Sequence, residues 1–180
     1  MDVLALDLSK RAAGWARYRS GDAKPTFGTW KLGSEVTSKG RAFLNLHRNL
    51  ADQCAFGKPD LIAYEMPLLL GPAAGNTTAE TQEVLIGIAM HAESFCEAKV
   101  IGCQPVNMST WRRHFIGSMP RGLKRATLKD YVIKRCQELG LNPADDNQAD
   151  ALGILDHALS GRGIIPPWRH ANILTRELGR

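Results

Sequence analysis

Four carboxylates in three short motifs are the residues of this chain best suited to chemistry. Asp7 sits in the apolar run VLALDLS, Glu65 closes DLIAYE, and Asp146 and Asp150 lie in DDNQADALGIL. An unpaired charge inside an apolar strand is costly, and the usual remedies are a cation partner, a metal ion or a raised pKa. Asp146 and Asp150 are four apart and share one face of a helix, where two like charges repel unless a cation relieves them. Carboxylates drawn from two strands and a helix suit divalent metal ions, which prefer hard oxygen ligands. That set points to metal-assisted phosphodiester chemistry.

The elements that must position these acids are legible in outline. Val3 to Leu8, Gly14 to Tyr18 and Thr26 to Leu32 read as three strands with short connections, an antiparallel meander. Ser38 to Phe56 has helical spacing with Ser38 as its cap, and Leu61 to Tyr64 returns as a buried strand parallel to the first. A long helix over Thr78 to Ala98 follows. Val100 to Cys103 reads as a fifth strand ended by a turn at Pro105, and helices follow over Ser109 to Phe115, Lys124 to Leu139 and Asp146 to Ser160. This order predicts an α/β fold, a ribonuclease-H-like mixed five-stranded sheet flanked by helices. The expected layout is one domain over residues 1–160 and a tail over 161–180 that is irregular or packs on the surface. In open sheets the ligand site lies beyond the carboxyl ends of parallel strands, where Asp7 and Glu65 both stand.

In the first strand Val3, Ala5 and Asp7 face one way and Leu4, Leu6 and Leu8 the other, so Asp7 continues an inward row. Pro67 ends the fourth strand and fixes Glu65 at its tip. Either Asp145 or Asp146 can cap the last helix.

The chain has 180 residues, 44% of them hydrophobic and 23% charged, which fits one globular domain. No apolar run approaches the ~20 residues of a membrane span, no signal peptide is evident, and the four cysteines lack metal or disulfide spacing. These features predict a cytoplasmic protein with reduced thiols. The net charge is +5, and basic residues concentrate in one segment: Arg112, Arg113, Arg121, Lys124, Arg125, Lys129, Lys134 and Arg135, with Asp130 the only acid among them. Beside a carboxylate cluster such a patch suits a polyphosphate backbone. Lys10 and Arg11, just after Asp7, are placed to touch a neighbouring phosphate. His91, His114 and His157 lack metal-ligand spacing, and Trp15, Trp30 and Trp111 read as core residues.

Taken together, LALDLSKRAAGWA, IAYEMP and DDNQADALGILDHAL resemble the RuvC family of Holliday-junction resolvases, and its phage-type members most. The resemblance runs from Val3 to about Ser160. It implies a homodimeric endonuclease that nicks two opposing strands of a four-way junction with a carboxylate quartet and two Mg²⁺ or Mn²⁺ ions, working in a bacterial or phage-infected cell. Asp7, Glu65 and Asp150 match the first, second and last acids. At the third acid's place, three residues before the last, this chain has Asn147; Asp146 is the better ligand by chemistry, with Asn147 in reserve. Lys124 and Arg125 match a basic stretch near the scissile strand, and one of them is expected to stabilise transition-state charge. Leu68, Leu69 and Leu70 replace an aromatic wedge near the junction centre. The helix over Thr78 to Ala98 carries apolar residues around much of its circumference and is the expected dimer contact.

Other readings have less support. Actin-like kinases share the core but need two domains and Gly-rich phosphate loops. A broader branched-DNA or flap nuclease of the same fold, a non-catalytic junction-binding module and an RNA-directed nuclease remain.

Overall fold

The structure is a computed structural model that describes residues 1–67, 78–118, 120 and 122–169. Its elements are β1 (Asp2–Asp7), β2 (Ala13–Arg19), β3 (Thr26–Trp30), α1 (Lys39–Ala55), β4 (Leu61–Glu65), α2 (Ala79–Lys99), β5 (Gly102–Val106), α3 (Met108–Ile116), α4 (Arg125–Glu138) and α5 (Asp146–Ser160). The strands form one mixed sheet in the order β3-β2-β1-β4-β5. β1 is antiparallel to β2, with Asp7 opposite Gly14, and parallel to β4, with Leu6 beside Tyr64. The predicted meander and crossover are both present.

Alternation along β1 divides the core in two, because successive side chains leave opposite faces of the pleat. Val3 and Ala5 pack with Trp111, Phe115, Val132 and the buried face of α5. Leu4 and Leu6 pack with Leu46, Leu50, Ile88 and Ala92 of α1 and α2. From Ala149 to Leu159 nearly every residue of α5 is buried, and four of them are Ala or Gly, which lets this helix lie close to its neighbours. Asp145 is its N-cap, the side chain accepting the Gln148 amide at 2.8 Å, so Asp146 is released from capping.

The carboxyl end of α1 lacks basic residues of its own in its last turn. Arginines of β2 supply donors for carbonyls at and just beyond its end. Arg17, 4% exposed, donates to the carbonyls of Gln53 and Gly57 at 2.5 Å each, and Arg19 donates to that of Phe56. Asp2 neutralises both arginines, at 2.6 and 3.1 Å.

Two expectations need correction. The fifth strand begins later than its sequence suggests, since Val100 is the left-handed C-cap of α2 (φ 53°) and Pro105 lies within β5 beside Tyr64. Proline is tolerated there because β5 is an edge strand, where the missing N–H breaks no interior ladder. The described part of the tail, through 169, also reaches the core. Trp168 is 4% exposed and meets Tyr18 edge-on, ring centroids 5.2 Å apart. Its indole and the Arg169 guanidinium both donate to the buried carboxylate of Asp156. Among the described residues no helix is long and apolar enough to cross a membrane.

Candidate active site

Asp7 ends β1 on the face covered by α5, and what brings α5 to it is a missing side chain. A β-carbon on Gly14, the residue opposite Asp7, would overlap the carbonyl of Asn147 and lie 3.1 Å from the Gln148 amide. The first turn of α5 therefore lies directly on the sheet next to Asp7. Asp150, one turn further on, is 6% exposed. Glu65 ends β4, the parallel neighbour of β1, where the amide of Met66 still bonds Val106 at 2.9 Å before Pro67 turns the chain away.

The helix after β5 orients two of these acids with consecutive residues. The fully buried Trp111 donates its indole N–H to Glu65 Oε2 at 2.7 Å. Its ring lies against Gly153 of α5, where a β-carbon would come within 2.5 Å of a ring carbon. Arg112 donates to Asp150 Oδ2 at 3.1 Å and stands 5.0 Å from the Trp111 ring centroid. From α4, Lys129 donates to Asp146. The repulsion between Asp146 and Asp150 is thus met by two separate cations.

Asp7, Glu65 and Asp150 act on one another electrostatically. Burial first, then the charges of Asp150 and Glu65, push the Asp7 carboxyl well above its usual range, against the pull of Arg112 and Lys129. Burial raises Asp150 to about 6, with Arg112 opposing and Glu65 adding to the rise. Among the described residues, Asp150 Oδ1 and Arg112 Nε are buried without a hydrogen-bond partner. An orphaned carboxylate oxygen in a crowd of negative charge is the feature a hard cation would satisfy. As they stand, no three carboxylate, imidazole or thiol groups among the described residues are close enough to cage an ion.

The remaining sequence candidates divide by position. Lys124 is exposed at the N-cap of α4 and Arg113 is exposed on α3; the amine that reaches an acid is that of Lys129. Lys10 and Arg11 border a groove of about 600 Å³ whose other wall is the start of α2, and Arg11 pairs with Glu35. Asn147 starts α5 beside Asp146, its carbonyl against Gly14. Leu68, Leu69, Leu70, Arg121 and the side chain of Arg125 lie outside the described residues. Among the histidines, His114 is held by Asp156 at 2.8 Å and His91 by His47 at 3.1 Å, in both cases away from the acids. Trp15 and Trp30 stack on each other beside the α1–α2 core. Trp111, read from sequence as core alone, also orients Glu65, and no spacing rule links a residue after β5 to the tip of β4.

No family model matches the chain, and no curated protein matches its sequence. Solved structures do. Thermus thermophilus RuvC in complex with a Holliday junction superposes with a TM-score of 0.68 at 15% identity, covering 91% of this chain and 96% of that one. The yeast mitochondrial Holliday junction resolvase Ydc2 gives 0.60 at 11% identity, over 98% of this chain and 85% of that one. The fowlpox virus Holliday junction resolvase gives 0.56 at 11% identity, over 90% and 99%. With its mixed sheet, its strand order and near-complete coverage of each of these chains, the protein has the ribonuclease-H-like fold of RuvC and these other Holliday junction resolvases.

Proposed function

We propose that this protein is a metal-dependent endodeoxyribonuclease that resolves four-way DNA junctions by paired, symmetric nicks. The observation that carries the reading is the mutual field of Asp7, Glu65 and Asp150 at the ends of β1, β4 and α5, with an unpartnered buried oxygen on Asp150. Asp7, Glu65 and Asp150, with Asp146 or Asn147 beside them, would hold Mg²⁺ or Mn²⁺. Such ions, two per site as the resemblance implies, would supply a water of lowered pKa and neutralise charge at the leaving 3′-oxygen. Trp111 fixes the rotamer of Glu65. Arg112 and Lys129, which donate to Asp150 and Asp146, would be the cations at hand for charge on a scissile phosphate.

Lys124 and Arg113, exposed at the N-cap of α4 and on α3, with Arg121 and Arg125 as the sequence offers them, would serve as a backbone track that gives affinity without sequence choice. Lys10 and Arg11 serve a neighbouring phosphate, and Leu68 and Leu69, following Glu65 in the chain, are offered to unstacked bases. Two copies joined through α2 would give one centre per nicked strand. Met90, 49% exposed on that helix, is apolar surface in want of cover.

The test incubates the protein and Mg²⁺ or Mn²⁺ with a labelled four-way junction, a linear duplex and a flap, with Asp7→Asn as control, and sedimentation reports the oligomer. Paired nicks on the junction that vanish in Asp7→Asn are expected. Equal cutting of flap and junction replaces the reading with a broader branched-DNA nuclease. Tight junction binding without cutting in either metal overturns catalysis and leaves a binding module, with Asn147 the residue to restore.

A further inference from the structure

On the sheet face away from the acids, two thiols meet. Cys103 lies in edge strand β5 opposite Ile62, and parallel partners present their side chains to the same side. Ile62 belongs to the α1–α2 core, which also contains Cys96 of α2, 1% exposed. The turn between the two is tight. The Cys96 carbonyl accepts the Ile101 amide at 2.9 Å, and Val100 takes the left-handed cap conformation. The Cys96 and Cys103 thiols act on one another across this turn, Cys96 buried and Cys103 exposed.

Their surroundings make them unequal. The neighbouring Cys96 thiol, helped by the Gln104 backbone, holds the Cys103 thiol below its ordinary pKa against partial desolvation and the charge of Glu93. Glu93 itself is occupied by the hydroxyl of Tyr64. The other cysteines differ: burial pushes Cys54 up, and burial with the charges of Asp150 and Asp156 pushes Cys136 up to about 12. Among the described residues no third ligand joins the pair to form a metal site. Access selects the thiol of the pair that meets an oxidant first, and that is the exposed Cys103.

We propose that Cys103 and Cys96 form a peroxide-reactive pair, with Cys103 the attacking thiol and Cys96 the resolving one. The Cys103 thiolate attacks one oxygen of hydrogen peroxide or an organic hydroperoxide. The O–O bond breaks, the departing hydroxide or alkoxide takes a proton, and Cys103 becomes a sulfenic acid. The Cys96 sulfur then attacks the sulfenic sulfur, its proton leaves with the hydroxide as water, and an S–S bond forms. Two thiols are oxidised by two electrons, and the peroxide is reduced to two waters, or to a water and an alcohol. The bond would tie the carboxyl end of α2 to β5, and a dithiol would reverse it.

The reduced full-length protein is titrated with hydrogen peroxide, alkylated and digested with trypsin. Lys99 lies between the two cysteines, so cleavage there separates them unless a disulfide joins them. The expected product is a linked Cys96–Cys103 peptide pair, forming about tenfold faster than oxidation of Cys54 or Cys136. Cys103→Ser, an exposed change, should abolish it. Cys96→Ala should leave a Cys103 sulfenic acid that dimedone traps, with circular dichroism confirming the fold. The proposal fails if Cys103 proceeds to sulfinic acid equally fast with and without Cys96. It also fails if Cys54 supplies the partner, or if linkage appears only in denaturant.

Discussion

Asp150→Asn should make the metal-free protein more stable while destroying its proposed activity. The Asp150 carboxyl stands at about 6 in the fold against an ordinary value of 3.8, a rise of about two units, each worth 1.36 kcal/mol. At pH 7.5 the folded state therefore carries a penalty of about 3 kcal/mol for keeping this group ionised. Asparagine removes the charge and keeps an oxygen to accept from Arg112. Because the folded-state pKa is raised, the native protein binds its proton before the unfolded chain does. The wild type thus recovers the penalty as the pH falls through 6 towards 4. The expected result, from urea melts in EDTA, is a variant more stable by up to about 3 kcal/mol at pH 7.5, with the difference closing near pH 4. Mg²⁺ should then raise the wild-type midpoint by mass action and the variant's much less. A variant equal to or weaker than the wild type at pH 7.5 in EDTA would refute the claim that this carboxylate is held against its electrostatic preference.

Three further outcomes follow from single contacts. Trp111→Phe keeps most of the buried ring but removes a hydrogen bond to a carboxylate, worth about 1.5–3 kcal/mol, so single-turnover junction cleavage should fall at least about tenfold at nearly unchanged fold; an unchanged rate would mean Glu65 needs no such orientation. Gly14→Ala forces a β-carbon onto the Asn147 carbonyl and should cost at least about 2 kcal/mol in urea melts, with loss of cleavage as the start of α5 lifts from Asp7. For Asp156, burial favours the protonated form, but hydrogen bonds from His114, Arg169 and Trp168 outweigh it and hold the carboxyl below its ordinary value. Its stabilisation is complete above the unfolded pKa of about 3.9 and is lost as pH falls towards the folded value. Asp156→Ala strands these donors and should cost about 3–5 kcal/mol, with faster proteolysis after Gly161 as the readout.

What could be read in advance depended on the range of the interaction. The alternation of β1 gives both core faces and the inward side of Asp7, because pleat geometry is local. The meander of the first three strands and the parallel return of the fourth followed from connection lengths. Pro105 misled, because proline marks a turn in most contexts and only the edge position of β5 makes it tolerable. Trp168 was unreadable, because Tyr18 comes from the far end of the chain and Asp156 is met only when the chain folds back after α5. At the candidate site, residue types singled out Asp7, Glu65 and Asp150, whose charges meet in the fold, but which cation meets which acid depends on how α3 and α4 approach α5. Lys129 and Arg112 stand out only in three dimensions, and Lys124 from sequence alone.

The burial of α5 against the opening strand also sets an order of events during synthesis. β1 and β2 leave the ribosome before the rest of the sheet, yet the helix that covers one face of them follows the other strands and helices among the described residues of the domain. Until it arrives, Val3, Ala5, Ala16 and Tyr18 lack their cover, and the nascent sheet presents an adhesive surface of the kind chaperones shield. Asp7 and Glu65 likewise wait for Asp150. A half-made chain therefore carries the hazard of an open sheet and an incomplete set of acids, and the same docking event that closes the core completes that set.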